Sequence, residues 1–238
     1  MVNWRFGTWT LIATSLVTAM MTVPMAASAA EPHAELRLRV VSSNSARHPT
    51  PAVVWLEPLA GTPTLPFQSQ ESYTLLQKNR MFTPHLQVIP VGSVLHFPNA
   101  DPFFHNVFSV FDGKRFDLGL YEAGSSKMVT FSREGVSYIF CNIHPEMSAV
   151  VISLSTPLYA IAEPDGSLLV RNIPPGDYQM SLWIEGVPRS SLGELSRRLH
   201  LTARTLDLGE VAAPATNTNK THKNEFGNPY DPLPKPPY

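Results

Sequence analysis

Short stretches in which apolar and polar residues alternate run through most of this chain and predict β-strands. Residues 34–41 (AELRLRVV) and 52–59 (AVVWLEPL) are the first two, and residues 127–131 (KMVTF) and 148–154 (SAVVISL) are later examples. Because successive side chains of a strand point to opposite faces, this period of two is typical of strands packed against a core. Turn signals rich in Gly and Pro separate the stretches, and no long amphipathic helix is evident. The pattern therefore predicts an all-β sandwich of short antiparallel strands.

The composition supports a globular, strand-rich protein. Of the 238 residues, 43% are apolar and 16% are charged, and there are 23 prolines, which is more than a helical protein would tolerate. The formal net charge is −1 without a broad basic run, which argues against nucleic acid as a partner.

The first residues of the chain predict an export signal over residues 1–30. Arg5 is the only early positive charge, an apolar stretch runs from Trp9 to about Val23, and a small-x-small cleavage site ends at Ala29. The alternative is an uncleaved membrane anchor, although the stretch is short for a span. No later segment is apolar enough to cross a bilayer, so we expect no membrane association after cleavage. The sequence thus predicts a periplasmic or secreted protein.

The chain contains one cysteine, Cys141, which opens the segment CNIHPEM that also holds His144 and Met147. An unpaired cysteine in an exported protein is a liability, an intermolecular bridge or a metal ligand, and the neighbouring imidazole and thioether favour the metal. A second histidine, His105, lies upstream in the run FFHNVFS. Two histidines, one cysteine and a weak axial methionine are the ligand set of a mononuclear blue-copper site. The sequence therefore predicts one copper ion bound by these four residues.

Phenylalanines close to these residues predict an apolar wall that excludes water and limits solvent rearrangement when the charge of the metal changes. They are Phe103, Phe104, Phe108 and Phe140. Taken singly, each candidate ligand could be an ordinary core residue, and it is their combination in a β-rich, exported chain that favours copper. Zinc could also occupy one cysteine and two histidines, although methionine is a poor zinc ligand. The remaining histidines follow no ligand spacing: His33, His48, His85, His96, His200 and His222.

The region from Lys78 to Leu154 resembles the cupredoxins, the plastocyanin and amicyanin group of blue-copper proteins. The amicyanins are most similar, because they share the spacing Cys-x-x-His-Pro-x-Met, and the stretch from Lys78 to Val94 resembles the one that leads into their first copper histidine. The resemblance implies a Greek-key β-sandwich and one copper that alternates between Cu(I) and Cu(II). It implies that the equatorial ligands are His105, Cys141 and His144 and that the axial ligand is Met147.

The resemblance also bears on two neighbours of the ligands. Asn106 matches the asparagine that commonly follows the first copper histidine, and its implied role is to tie the two ligand-bearing segments together near the sulfur of Cys141. Glu146 departs from the pattern, since a bulkier apolar residue is more usual within the ligand loop. This difference bears on the reduction potential and on surface recognition.

The flanking segments, residues 31–69 and 156–212, resemble a carboxypeptidase-regulatory or transthyretin-like β-sandwich. The signature is the turn DGSL at 165–168 and the run IPPGDY that follows it. This resemblance implies a discontinuous domain into which a cupredoxin domain, residues 70–155, is inserted, and long insertions in loops cost little free energy. The alternative is one enlarged cupredoxin. Residues 213–238 are polar and Pro-rich, and we expect a disordered tail there.

These observations predict a monomeric one-electron carrier that exchanges electrons with redox protein partners. The alternative is a periplasmic protein for copper binding or delivery that has no redox role. We expect the chain not to be an enzyme. It has no His-x-His pair for a further copper site, and a binuclear copper centre would need two cysteines.

Overall fold

The computed structural model of the chain describes residue 1 and residues 33–41, 50–69, 72–110, 113–214, 222–224 and 226–229. Apart from Met1, the predicted export signal lies outside the described residues. So does most of the predicted tail.

Almost every element of the described chain is a β-strand, which confirms the all-β prediction. The first nine strands are β1 (Ala34–Val41), β2 (Ala52–Pro58), β3 (Tyr73–Thr74), β4 (Leu76–Lys78), β5 (Met81–Thr83), β6 (Leu86–Pro90), β7 (Val94–Pro98), β8 (His105–Ser109) and β9 (Phe116–Tyr121). The remaining elements are β10 (Ser126–Thr130), β11 (Gly135–Phe140), β12 (Ser148–Leu154), β13 (Tyr159–Ile161), β14 (Ser167–Ile173), β15 (Gly176–Ile184), α1 (Arg189–Leu195), β16 (Arg197–Leu201) and β17 (Thr205–Ala212). In this part of the chain no helix could cross a membrane.

The strands form several sheets. A central five-stranded sheet has the order β6-β12-β11-β8-β9, and a three-stranded sheet has the order β10-β7-β3. The flanking segments form the sheets β14-β1-β17 and β13-β2-β15-β16, and β4 pairs with β5. The antiparallel pairing expected from the sequence holds for most pairs, but β1 with β17, β12 with β6 and β3 with β7 are parallel. Parallel pairing requires partners that are far apart in the sequence, so local turn signals could not predict it.

Buried apolar side chains form two separate clusters. One of them, the flanking core, consists mainly of residues from β1, β2, β14 and β15 and includes the fully buried Trp183. The other, the site core, consists of Leu75, Phe82, Ile89, Leu95, Phe97, Val107, Tyr121, Val129, Phe131, Ile139, Cys141, Met147, Ala149 and Val151. The predicted ligands Cys141 and Met147 are therefore core residues of the central segment.

Strand β12 contributes to both clusters because both of its faces are covered. Ala149 and Val151 belong to the site core, whereas Val150 and Ile152 belong to the flanking core. Burying a side chain of this size contributes roughly 1.5–3 kcal/mol. The central sheet thus joins the two clusters within one compact unit. The division into an inserted cupredoxin domain and a transthyretin-like sandwich stays a prediction.

An ion pair provides a second link between the central and flanking segments. Nε2 of His85, between β5 and β6, lies 2.5 Å from a carboxylate oxygen of Glu185, which follows β15. Nδ1 of the same ring lies 3.1 Å from the backbone carbonyl of Ser148. The hydrogen bond with Glu185 raises the pKa of His85 above its ordinary value, and this effect outweighs the lowering by burial.

This pair predicts a pH-dependent contribution to stability. Because the folded chain holds the His85 proton more tightly than the unfolded chain, the contribution is complete below the ordinary histidine pKa of 6.5 and is lost as the pH rises through the raised value. We expect Glu185→Gln to lower the free energy of unfolding at about pH 5.5, by less than about 1 kcal/mol since the pair is partly exposed, and to have a smaller effect at about pH 8.5. Urea unfolding at both pH values measures this. The exposed Glu134→Gln is the control, and an equal loss at both pH values for Glu185→Gln would contradict the prediction.

Candidate metal centre

The two segments that carry the predicted ligands are neighbours in the central sheet. His105 is the first residue of β8, and Cys141 directly follows the last residue of β11. The two strands are antiparallel, with Phe108 opposite Phe140. The beginning of β8 and the end of β11 therefore meet at one edge of the sheet, although 36 positions separate the two side chains in the sequence.

The loop after β11 turns back on itself before β12 begins. The backbone N–H of Met147 donates to the carbonyl of His144 over 3.0 Å, and the N–H of Cys141 donates to the carbonyl of Met147 over 3.3 Å. Pro145 suits such a turn, because its ring fixes φ and it has no N–H to satisfy. These bonds keep the three spaced residues of the segment CNIHPEM close together.

The structure brings three of the four predicted ligands to one point. Nδ1 of His105 lies 3.6 Å and Nδ1 of His144 lies 3.5 Å from Sγ of Cys141, and the three donor atoms all lie within 4.8 Å of one another. Bonds of about 2 Å to a central ion leave donor atoms about 3.5 Å apart, so the spacing fits a single metal ion. A thiolate with two imidazoles is a donor set that suits copper.

Met147, the fourth predicted ligand, is joined to Cys141 and His144 by the backbone hydrogen bonds of the loop. Its side chain is only 1% exposed and belongs to the same buried cluster as Cys141. This position is compatible with the axial role that the sequence predicts, and coordination by its sulfur stays a prediction.

Asp101 is a residue of the candidate site that the sequence analysis missed. Its Oδ2 accepts a hydrogen bond from Nε2 of the fully buried His105 over 2.9 Å. Since that bond occupies Nε2, Nδ1 is left to face the sulfur and the metal position. Metal-binding histidines usually donate their second ring N–H to a carboxylate or carbonyl, and an aspartate four positions before His105 was the available signal.

The same carboxylate also organises the turn between β4 and β5. It accepts the backbone N–H of Asn79 over 2.6 Å and that of Arg80 over 3.0 Å, and both residues have a φ of 55°. Burial raises the pKa of Asp101, but the N–H of Arg80, the ring of His105 and the N–H of Asn79 together lower it below its ordinary value. Asp101 is therefore a carboxylate at neutral pH, in spite of being only 5% exposed.

The surroundings determine the protonation of the other two donors. Burial raises the pKa of the Cys141 thiol, partly opposed by the backbone N–H groups of Asn106, Ile143 and His144. Burial also lowers the pKa of His144, and the nearby His105 and Arg80 lower it further. A neutral imidazole is the form that binds a metal, whereas the thiol needs a cation to replace its proton. Metal binding at this site is thus expected to release a proton.

The predicted apolar wall is only partly correct. The ring of Phe103 packs against His105 and His144, with centroid distances of 5.3 Å and 5.6 Å. Phe104 is 55% exposed and does not close the site. Phe108 and Phe140 contact each other instead, at 5.7 Å. Because side chains alternate along a strand, Phe140 points away from the face that carries Ile139 and the site core.

Asn106 differs from its expected role as well. Its side-chain amide donates to Asp117 on β9 over 2.8 Å, so this bond joins β8 to β9 and not to the ligand loop. The backbone N–H of Asn106, in contrast, interacts with the sulfur of Cys141. The link between the two ligand-bearing segments is therefore made by the main chain, which the identity of the side chain could not predict.

Comparisons with known proteins give partial likenesses to copper proteins. No family model and no curated protein matches this sequence. Among solved structures, the chain is similar to a purple cupredoxin from Nitrosopumilus maritimus, with 23% identity, a TM-score of 0.32, and coverage of 35% of this chain and 100% of that one. It is similar to amicyanin from Paracoccus versutus, with 17% identity, a TM-score of 0.30, and coverage of 42% and 91%.

A third solved structure is a copper-containing nitrite reductase from Thermus scotoductus SA-01. Its identity is 21% and its TM-score is 0.34, and the match covers 48% of this chain but only 28% of the reductase. Identities and scores as low as these do not define an activity. The function must therefore be argued from the chemistry of the site.

Proposed function

We propose that this chain is an exported blue (type 1) copper protein that carries single electrons through one mononuclear site. The convergence of His105, Cys141 and His144 from two strand ends is the observation that supports it, because their donor atoms already have the spacing that one ion needs. Bound copper would supply one-electron chemistry by alternating between Cu(I) and Cu(II).

In this function the protein restrains the positions of the donor atoms and excludes water from them. His105 and Cys141 are fully buried, and the hydrogen bonds of Asp101 and of the loop backbone restrain their positions. Fixed ligands and excluded water reduce the reorganisation that accompanies a change of charge. In this proposal Met147 is the weak axial ligand.

His144 is the donor residue through which electrons would enter and leave. It is half-buried, whereas the other two donors are inaccessible. The exposed Ile143 precedes it in the sequence, and the exposed Phe104 follows Phe103, whose ring contacts His144. An apolar surface around an accessible ligand edge would allow brief contact with redox protein partners. We further propose that the chain acts as a monomer in the periplasm or outside the cell, and not as an enzyme.

A titration of the purified chain with Cu(II) tests the proposal. We expect saturation at one equivalent, an intense visible band from the cysteine sulfur to copper, and reversible one-electron reduction in cyclic voltammetry. Zn(II) should compete for the same site without producing colour, which controls for non-specific binding. A chain that binds Cu(I) tightly but shows no visible band and gives up its metal readily would instead be a copper-delivery protein.

A further inference from the structure

Three aromatic rings pack together next to the ligand loop, on the face of the central sheet opposite the site core. The ring of His222 stacks on Phe140 with a centroid distance of 4.3 Å and an interplanar angle of 28°. The same ring makes an edge contact with Phe108 at 6.1 Å. Phe140 is the residue directly before Cys141, so His222 packs against the strand end that positions the sulfur.

The main chain of the same segment is bonded to the ligand loop. The backbone N–H of His222 donates to the carbonyl of Pro145 over 3.4 Å. Nδ1 of the His222 ring lies 2.8 Å from the backbone carbonyl of Lys223. The segment is therefore bonded to the ligand loop at Pro145, the residue directly after His144.

The described residues after His222 form a local turn that continues over the same face. The side-chain oxygen of Asn224 accepts the backbone N–H of Phe226 over 3.1 Å and that of Asn228 over 2.9 Å. Phe226 lines a surface cavity of about 410 Å³ together with Phe108 and Phe116. The described residues after His222 therefore have local structure, and the disorder of residues 213–238 as a whole stays a prediction.

We propose that His222 is a positioning residue, which braces the ligand loop from the side opposite the metal through its stack on Phe140. In the proposed function the loop has to keep Cys141, His144 and Met147 in place while the charge of the metal changes, and the contacts of His222 with Phe140 and Pro145 restrain it. The inference rests on the proposed function for its purpose, but the bracing itself is a property of the chain alone.

Alkylation of Cys141 by iodoacetamide in the metal-free full chain tests the brace. Cys141 is the only cysteine and is fully buried, so its reaction requires local opening of the loop. We expect His222→Ala to raise the alkylation rate about fivefold, the effect of losing one aromatic stack. His222→Phe keeps a ring on Phe140 and should react at nearly the wild-type rate. The control is His200→Ala, at an exposed histidine paired with Asp177.

The alkylation rates test the role of His222 independently of copper binding. Faster alkylation in His222→Ala alone supports the brace. Equal rates in all variants, equal acceleration by the alanine and phenylalanine variants, or equal acceleration by the His200 control would overturn it. If the wild-type chain binds no copper, the proposed function fails, yet the alkylation rates still report on His222. In a chain that binds copper, His222→Ala should also release the metal to a chelator severalfold faster than His222→Phe.

Discussion

Replacing Cys141 with serine is expected to abolish the visible copper band completely. The band requires a thiolate bonded to the metal, and a serine hydroxyl at this buried position remains protonated and is a poor ligand. The affinity for Cu(II) should fall by at least about tenfold, because the two imidazoles are the only strong ligands that remain. Absorption spectra and titrations of the two proteins under the same conditions measure both effects.

Met147→Leu is the matched comparison for that experiment. The substitution conserves volume and removes only the weak axial sulfur, so the colour should persist while the reduction potential rises. A Cys141→Ser protein with an unchanged spectrum would show that the sulfur is not a ligand. A Met147→Leu protein with an unchanged potential would remove Met147 from the ligand set without affecting the other three residues.

The second large effect is expected at Asp101. Asp101→Ala leaves the buried ring N–H of His105 and the partly exposed backbone N–H groups of Asn79 and Arg80 without their acceptor. Leaving the buried ring N–H unbonded costs about 1–3 kcal/mol and each partly exposed N–H costs less, so we expect the free energy of unfolding of the metal-free chain to fall by about 2–5 kcal/mol. In the copper-loaded chain the reduction potential should rise, because the negative charge that favours Cu(II) is lost.

Two further variants separate the charge of Asp101 from its hydrogen bonds. Asp101→Asn retains one acceptor oxygen but not the charge, so it should be less destabilising than alanine while it still raises the potential. Asp165→Ala removes an exposed carboxylate from the turn before β14 and should leave the potential unchanged. A stability loss below about 0.5 kcal/mol for Asp101→Ala would show that Asp101 does not hold His105.

Part of the candidate site could be predicted because its chemistry is local in the sequence. Cys141, His144 and Met147 occupy one short loop, and the spacing alone indicates that they can face a common point. His105 is 36 positions away, and its residue type, its phenylalanine-rich strand and the family resemblance identified it. The structure then placed its Nδ1 within 3.6 Å of the sulfur.

The sequence analysis missed Asp101 and assigned no role to His222. Asp101 acts through Nε2 of His105, which is the nitrogen that the ligand pattern does not consider. His222 lies 75 or more positions beyond the ligand loop, within a polar and Pro-rich segment, and its proposed role rests on its contacts with Phe140 and Pro145. In both cases the contact depends on the folding of remote segments against each other.

The amino-acid pattern alone determined that this chain builds short strands and that a soft donor set lies at the end of one of them. Those properties follow from side-chain alternation and from the affinities of sulfur and nitrogen, which act over a few residues. Folding decided which strands became parallel neighbours, which carboxylate orients His105, and that β12 serves two cores at once. Such outcomes depend on packing between distant segments, whose free energy no local stretch of sequence contains.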